Sequence, residues 1–343
     1  MKNRLSPVRE IDAKAPTCRF WLRFAASRLL RVVLVLTLVS ILAFALVSMA
    51  PLDPVDAYLG PNIFHISPEQ RDLVVARWGL DQPPLMRYVT WVGHVFTGDL
   101  GVSPIFNQPV ATVIATRFSA SLALMTIAWT ASGALGFCLG LVAGTWRRSW
   151  AAKIIRVYAY MLAAAPTFWI AIILLIVFGV VLGWTPICCA APIGLTPDQI
   201  SLGQRLSHII LPATALTFLG IAQITLYTCQ ETAEFMNSDV AIFARAQGAS
   251  RWDILRRHAI RHAALPAITV QFAGIGELFG GSILAETVFT YPGLGQAAVA
   301  AGIRGDEPLL LGITLFSAAI VSIGNSIADA LYHVIDPRIT LAS

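Results

Sequence analysis

The sequence predicts an all-α integral membrane protein of about six transmembrane helices. Hydrophobic residues make up 57% of the 343 and charged residues only 13%, against about 25% charged in soluble domains. Apolar runs close to the length of a bilayer span recur along the chain, and the ten-residue alternation of a membrane β-barrel is absent. A large soluble fold would need polar surface that this chain lacks. The net charge of +5 gathers at the ends of the apolar runs, which points to basic loops at a membrane face rather than to nucleic acid.

Residues 1–31 form a basic N-terminus holding Lys2, Arg4, Arg9, Lys14, Arg19, Arg23, Arg28 and Arg31. Residues 32–50 form the first span, which runs into Met49-Ala50-Pro51-Leu52-Asp53-Pro54 without a small-residue cleavage site and so reads as uncleaved. Residues 51–110, rich in Pro, Gly and acidic side chains, form a small external segment with a helix candidate at Pro68–Trp78, opened by Pro68 and closed by Gly79. Residues 111–335 form the membrane core, with apolar runs at about 118–144, 154–182, 208–230, 263–288 and 308–334. Residues 336–343 follow as a short tail, with Asp336-Pro337 stopping the last helix.

Basic residues set the orientation. Of the 24 Lys and Arg residues, 18 lie in the N-terminus, the 2–3 connection, the 4–5 connection and at Arg338. The other 6, Arg71, Arg77, Arg87, Arg117, Arg205 and Arg304, lie on the opposite side. The positive-inside rule places both termini and the 4–5 connection in the cytoplasm of a multi-pass membrane protein.

The 4–5 connection, residues 239–262, is the leading candidate functional segment. Ala244, Arg245 and Ala246 favour helix, and Gly248 permits a sharp change of direction. Trp252, Ile254 and Leu255 are apolar residues in a basic loop, ringed by Arg251, Arg256 and Arg257. Such a segment either fills a groove on a partner protein or lies as an amphipathic helix on anionic lipid.

Polar groups inside the spans mark a candidate pathway. Glu277 sits mid-span among Gly274, Gly276, Gly280 and Gly281, and Glu286 lies near the external end. An intramembrane carboxylate is costly and faces a cavity or a neighbouring helix; the glycines suit close helix approach or a subunit interface. Asn325 and Asp329 share a face of span six and read as bonds to neighbouring helices. Pro166 and Trp169 open the second half of span three, where Pro166 bends or starts a helix. Cys188 and Cys189 have no second Cys/His pair at ligand spacing, and His65 and His94 are isolated, so no metal site is expected.

Several ordered motifs share one resemblance. They are Ala244-Arg245-Ala246-Gln247-Gly248 with Arg257-His258-Ala259-Ile260-Arg261-His262, Ala50-Pro51-Leu52-Asp53-Pro54, Gly79-Leu80-Asp81-Gln82-Pro83, Gly98-Asp99-Leu100-Gly101, Pro166-Thr167-Phe168-Trp169, His208-Ile209-Ile210-Leu211-Pro212, Glu286-Thr287-Val288-Phe289-Thr290-Tyr291-Pro292-Gly293-Leu294-Gly295 and Asp336-Pro337-Arg338. Together they resemble permease subunits of binding-protein-dependent ABC importers of the dipeptide/oligopeptide/nickel family, from about residue 28 onward. Ile242-Phe243-Ala244 stands where the broader importer motif has Glu-Ala-Ala, and Ile260-Arg261 where it has Leu-Pro.

The resemblance implies a type I importer permease fold, with residues 239–262 as the segment that couples to an ATPase. It implies a second permease as heterodimer partner, two ATPase subunits or domains that use ATP and Mg, an external substrate-binding protein and surrounding lipid. The solute would be a di- or oligopeptide, nickel or a metal chelate, moved by alternating access. The chain itself has no G-x-x-x-x-G-K-[ST] phosphate loop and is expected to be a non-catalytic subunit without cofactor. The competing classes are an ion-driven or passive carrier, which needs no docking segment, and a membrane enzyme, which needs a catalytic cluster.

Overall fold

The computed structural model of the protein describes residues 18–49, 81–192 and 199–335, with Glu69 and Val75 between them. His65, the Ala50–Pro54 motif, most of the helix expected at Pro68–Trp78 and the Asp336-Pro337-Arg338 motif lie outside the described residues.

Helix α1 spans Cys18–Ser48. It starts well before the expected Val32, so Arg23, Arg28 and Arg31 ride on its first turns rather than on a separate tail. Helix α2, Pro84–Phe96, opens with proline at its first turn, where the missing N–H is no loss. It packs on α1 through Phe44, Tyr88 and Trp91, with the Phe44 and Tyr88 rings 5.3 Å apart. A two-stranded hairpin, β1 Val102–Ser103 with β2 Gln108–Pro109, leads directly into α3.

Helix α3, Val110–Thr145, has 36 residues. At about 1.5 Å per residue it is about 54 Å long and overshoots a hydrocarbon core of about 30 Å. Helix α4, Trp150–Ala164, is capped by Ser149. Helix α5, Thr167–Leu174, continues as a π-turn over Leu175–Val181. The α4–α5 pair bends by 108° at Pro166, which N-caps α5 and cannot extend α4. Helix α6, Leu202–Met236, starts at a Ser201–Gln204 capping box and contains Pro212 within its length.

Helices α7, Asp239–Ala246, and α8, Arg251–Ile254, form the 4–5 connection. A π-turn over Leu255–Ala259 feeds α9, Ile260–Ala273, and α10, Ile275–Val288, follows a 51° bend. Helix α11, Leu294–Arg304, and helix α12, Glu307–Ile335, complete the described chain. Among the described residues four single helices are long and apolar enough to cross a membrane, and the number reaches the expected six when each of the two bent pairs is one span.

A close seam joins α3 to α6. Gly136, Gly140 and Gly144 recur every fourth residue on α3, facing Ile224, Thr228 and Thr232. A Cβ at Gly140 would stand 2.5 Å from Thr228 Cβ and 2.9 Å from the Thr225 carbonyl oxygen. Small residues at this spacing let backbones approach closely. The glycines singled out on span five differ: a Cβ at Gly280 meets nothing within 4 Å, those at Gly274 and Gly276 make ordinary contacts, and one at Gly281 would stand 2.7 Å from Leu219 Cδ2. Gly140→Leu is expected to destabilise the fold by about 1–3 kcal/mol or more through overpacking, read as a lower Tm of the detergent-purified protein. An unshifted Tm would mean the seam is looser than its geometry requires.

Ion pairs fix both ends of the bundle. Arg28 on α1 meets Asp329 on α12 at 2.6 Å, so Asp329 does bond a neighbouring helix as expected. At the other end Arg87 on α2 meets Glu307 at 3.0 Å. Buried Asp306 accepts from Ser103 Oγ at 2.5 Å and from the Leu309 amide at 3.0 Å. The hairpin is thereby clamped to the start of α12.

Candidate functional site

The basic end of the bundle carries a protruding helical elbow. Ser238 caps α7 by accepting from the Ala241 amide at 3.4 Å. Arg245 folds back and donates to the carbonyls of Ala241 at 3.1 Å and Met236 at 2.7 Å, placing its charge on the carbonyl end of α6. The chain reverses at Gly248, whose φ of +89° lies where side-chain-bearing residues rarely go. Ser250 and Asp253 then cap α8 reciprocally.

This elbow sits on a floor of Leu141, Met236, Ala241, Ile254, Leu255, Ala259 and Ala263. Ile254 and Leu255 were expected to reach into a partner, and the structure corrects this. They are 1% and 3% exposed, packed inward under the elbow. The outward apolar side chains are Val240, Ile242, Phe243 and Trp252, of which Phe243 is 65% exposed. Trp252 stacks on Trp146 with centroids 6.4 Å apart. Arg251, Arg256 and Arg257 are exposed around it. The result is an apolar knuckle within a basic ring, carried on a short, capped lever joined to both α6 and α9. Ala244 and Ala246 lie on that lever, with Ala244 packed against its floor.

A second polar cluster lies midway along the spans, around the break at Gly274. Trp129 on α3 and Gln271 on α9 lock together: the indole N–H donates to the Gln271 carbonyl at 3.1 Å, and the Gln271 amide donates to the Trp129 carbonyl at 2.6 Å. Gln223 on α6 donates to Glu277 Oε2 at 2.5 Å. Glu277 thus both bonds across helices and helps line a small cavity with Trp129, Ser132 and Gln223. Pro166 and Trp169 stand at the α4–α5 bend, both exposed, and do not line that cavity.

Glu286 was expected on the pathway, but the structure places it inside the chain, with 0% exposure. It accepts from Ser121 Oγ at 2.6 Å, the Gly295 amide at 2.7 Å and the Gln296 amide at 3.2 Å. Ser121 in turn accepts from the Leu294 amide at 2.7 Å. A carboxylate at the open amides of a helix N-terminus is well placed, so Glu286 holds α11 against α3 and α10. Gly293 leaves the space its carboxyl occupies, and a Cβ at Gly295 would strike Ile283. This accounts physically for the Glu286–Gly295 motif as a structural clasp.

Cys188 and Cys189 are bonded to each other rather than standing as separate loop or packing thiols. The Cys189 amide donates to the Phe289 carbonyl at 3.1 Å, tying that loop to the clasp. Among the described residues no group of three or more His, Cys, Asp or Glu is placed to hold a metal ion.

The chain is similar to known proteins along most of its length. Residues 136–341 match a family described as binding-protein-dependent transport system inner membrane component, and residues 21–125 match the N-terminal part of such components. The oligopeptide transport system permease protein AppB of Bacillus subtilis (strain 168) is 32% identical over 88% of this chain and 94% of its own length. A putative peptide permease protein of Brucella ovis is 35% identical over 93% and 99%. The di/tripeptide transport system permease protein DppB of Pseudomonas aeruginosa is 31% identical over 88% and 94%.

Proposed function

The chain belongs to the family of binding-protein-dependent transport system inner membrane components, and on that premise we propose that it is the permease subunit of an ATP-driven importer of di- or oligopeptides. The observation that carries the reading is the apolar knuckle of Ile242, Phe243 and Trp252 on a capped lever at the basic end. It fits a cleft on an ATPase. A lipid-bound helix would lie along the membrane with one apolar face down, whereas here the inward face is already filled by the chain's own Leu141 and Met236.

In this reading ATP and Mg are bound by two ATPase subunits, a second permease completes a heterodimer, and an external binding protein delivers the peptide. Both termini and the elbow face the cytoplasm of the inner membrane. Closure of the ATPases pushes α7 and α8. Arg245 passes the push to the end of α6, and the π-turn over Leu255–Ala259 passes it to α9. The bend at Gly274 lets α9 and α10 move separately, which alternates access to the midplane cluster.

The test is purification of the tagged chain with its neighbours. A complex whose ATP hydrolysis rises when the peptide-loaded external protein is added supports the importer. Peptide uptake by the chain alone, without nucleotide, would favour the carrier class instead.

A further inference from the structure

We propose that Gln223 and Glu277 form a subsite for the positively charged amino group of the transported solute; this rests on the importer reading above. Both side chains are exposed on the surface of this chain, yet they sit near the middle of α6 and just past the break between α9 and α10. A carboxylate at that depth is costly unless it faces an aqueous cavity or a cation. Its hydrogen bond comes from the neutral amide of Gln223, and among the described residues no cation pairs with the carboxylate. Interrupted helices at membrane depth are tolerated where they line a cavity, and the interruption at Gly274 adjoins this pair in one cavity wall.

The chemistry selects an ammonium. An ammonium carries three donors and no acceptor. Glu277 supplies a charged acceptor, and Gln223, with one of its two amide N–H groups on Glu277, also presents its carbonyl oxygen beside Gly274.

A polar track leads away from the pair. Tyr227, Gln230 and Glu234 follow Gln223 on one face of α6 and line a cleft of about 1050 Å³ that reaches Arg147 and Arg156 at the basic end. From Gln223 to Glu234 the helix rises about 16 Å, the reach of an extended peptide of about five residues. A peptide held by its amino end at Glu277 and lying along this cleft would bring its carboxylate to the end where Arg147 and Arg156 stand beside Glu234.

The experiment uses the whole complex in proteoliposomes with its external binding protein at saturation. Uptake of a peptide is compared with uptake of its des-amino analogue. Glu277→Gln is expected to lower the preference for the free amine roughly tenfold, the size of one lost charged hydrogen bond, while Glu277→Asp retains it. Gln223→Leu, which keeps the carboxylate, is expected to shift the ratio the same way by a smaller factor, and serves if Glu277→Gln does not assemble. An unchanged ratio in these variants would overturn the subsite. Absence of ATP-driven uptake in the unsubstituted complex would instead overturn the importer reading itself.

Discussion

Phe243→Asp is expected to abolish ATP-dependent uptake while leaving the permease folded in the membrane. Phe243 is 65% exposed on α7 and belongs to none of the buried clusters. Its removal therefore withdraws nothing from the chain's own core. Burying a Phe against a partner contributes about 1.5–3 kcal/mol, and central aromatic anchors often contribute 2 or more. Asp at that point adds an unpaired charge to be desolvated. A loss near 3 kcal/mol weakens docking more than about a hundredfold. Ile254→Ala is the contrasting variant: Ile254 is 1% exposed in the floor of the elbow, so its truncation is expected to cost about 2–5 kcal/mol of fold stability. Tm of the purified chain and recovery of the ATPase separate the two. A Phe243→Asp permease that retains its ATPase and transports normally would sink the docking role of this knuckle.

The six spans were legible because apolar length is itself the physical requirement for crossing a bilayer, and it can be counted in the sequence. The breaks within two of them were harder. Pro166 announced the first, but composition stays apolar across Gly274, so the second is visible only in the backbone. The elbow was located by its charge and its glycine, while its faces were misjudged. Ile254 and Leu255 stand beside arginines in the sequence yet point inward. The signal that could have sorted them is helical spacing from the caps Ser238 and Ser250: small Ala241 and Ala244 mark the packed side of α7, leaving Val240 and Phe243 outside. The Gly136-Gly140-Gly144 repeat is equally readable in the sequence, and it marks a closer helix approach than Gly280 near Glu277. Glu286 was recognised within a motif, but its partner Ser121 lies 165 residues earlier, and no local pattern reveals a bond of that range.

That distant bond underlies the second large effect. Glu286→Ala is expected to destabilise the permease by several kcal/mol and to lower its folded yield in the membrane. The substitution strips acceptors from Ser121 Oγ and from the Gly295 and Gln296 amides. Each buried donor left unpaired costs about 1–3 kcal/mol. Glu286→Gln should cost less, since its carbonyl oxygen still accepts, but its NH₂ group then faces donors. The surrounding glycine supplies a sharper check. A Cβ on Gly293 collides with the Glu286 carboxyl, so Gly293→Ala should be strongly destabilising on its own and much less so once Glu286 is Ala. Two substitutions that touch each other are non-additive by about 0.5–3 kcal/mol, and here the sign must be relief. Additive losses in the Tm of the double variant would show that the carboxylate and the Pro292–Gly295 turn are not coupled, and that the clasp does not hold α11 in place.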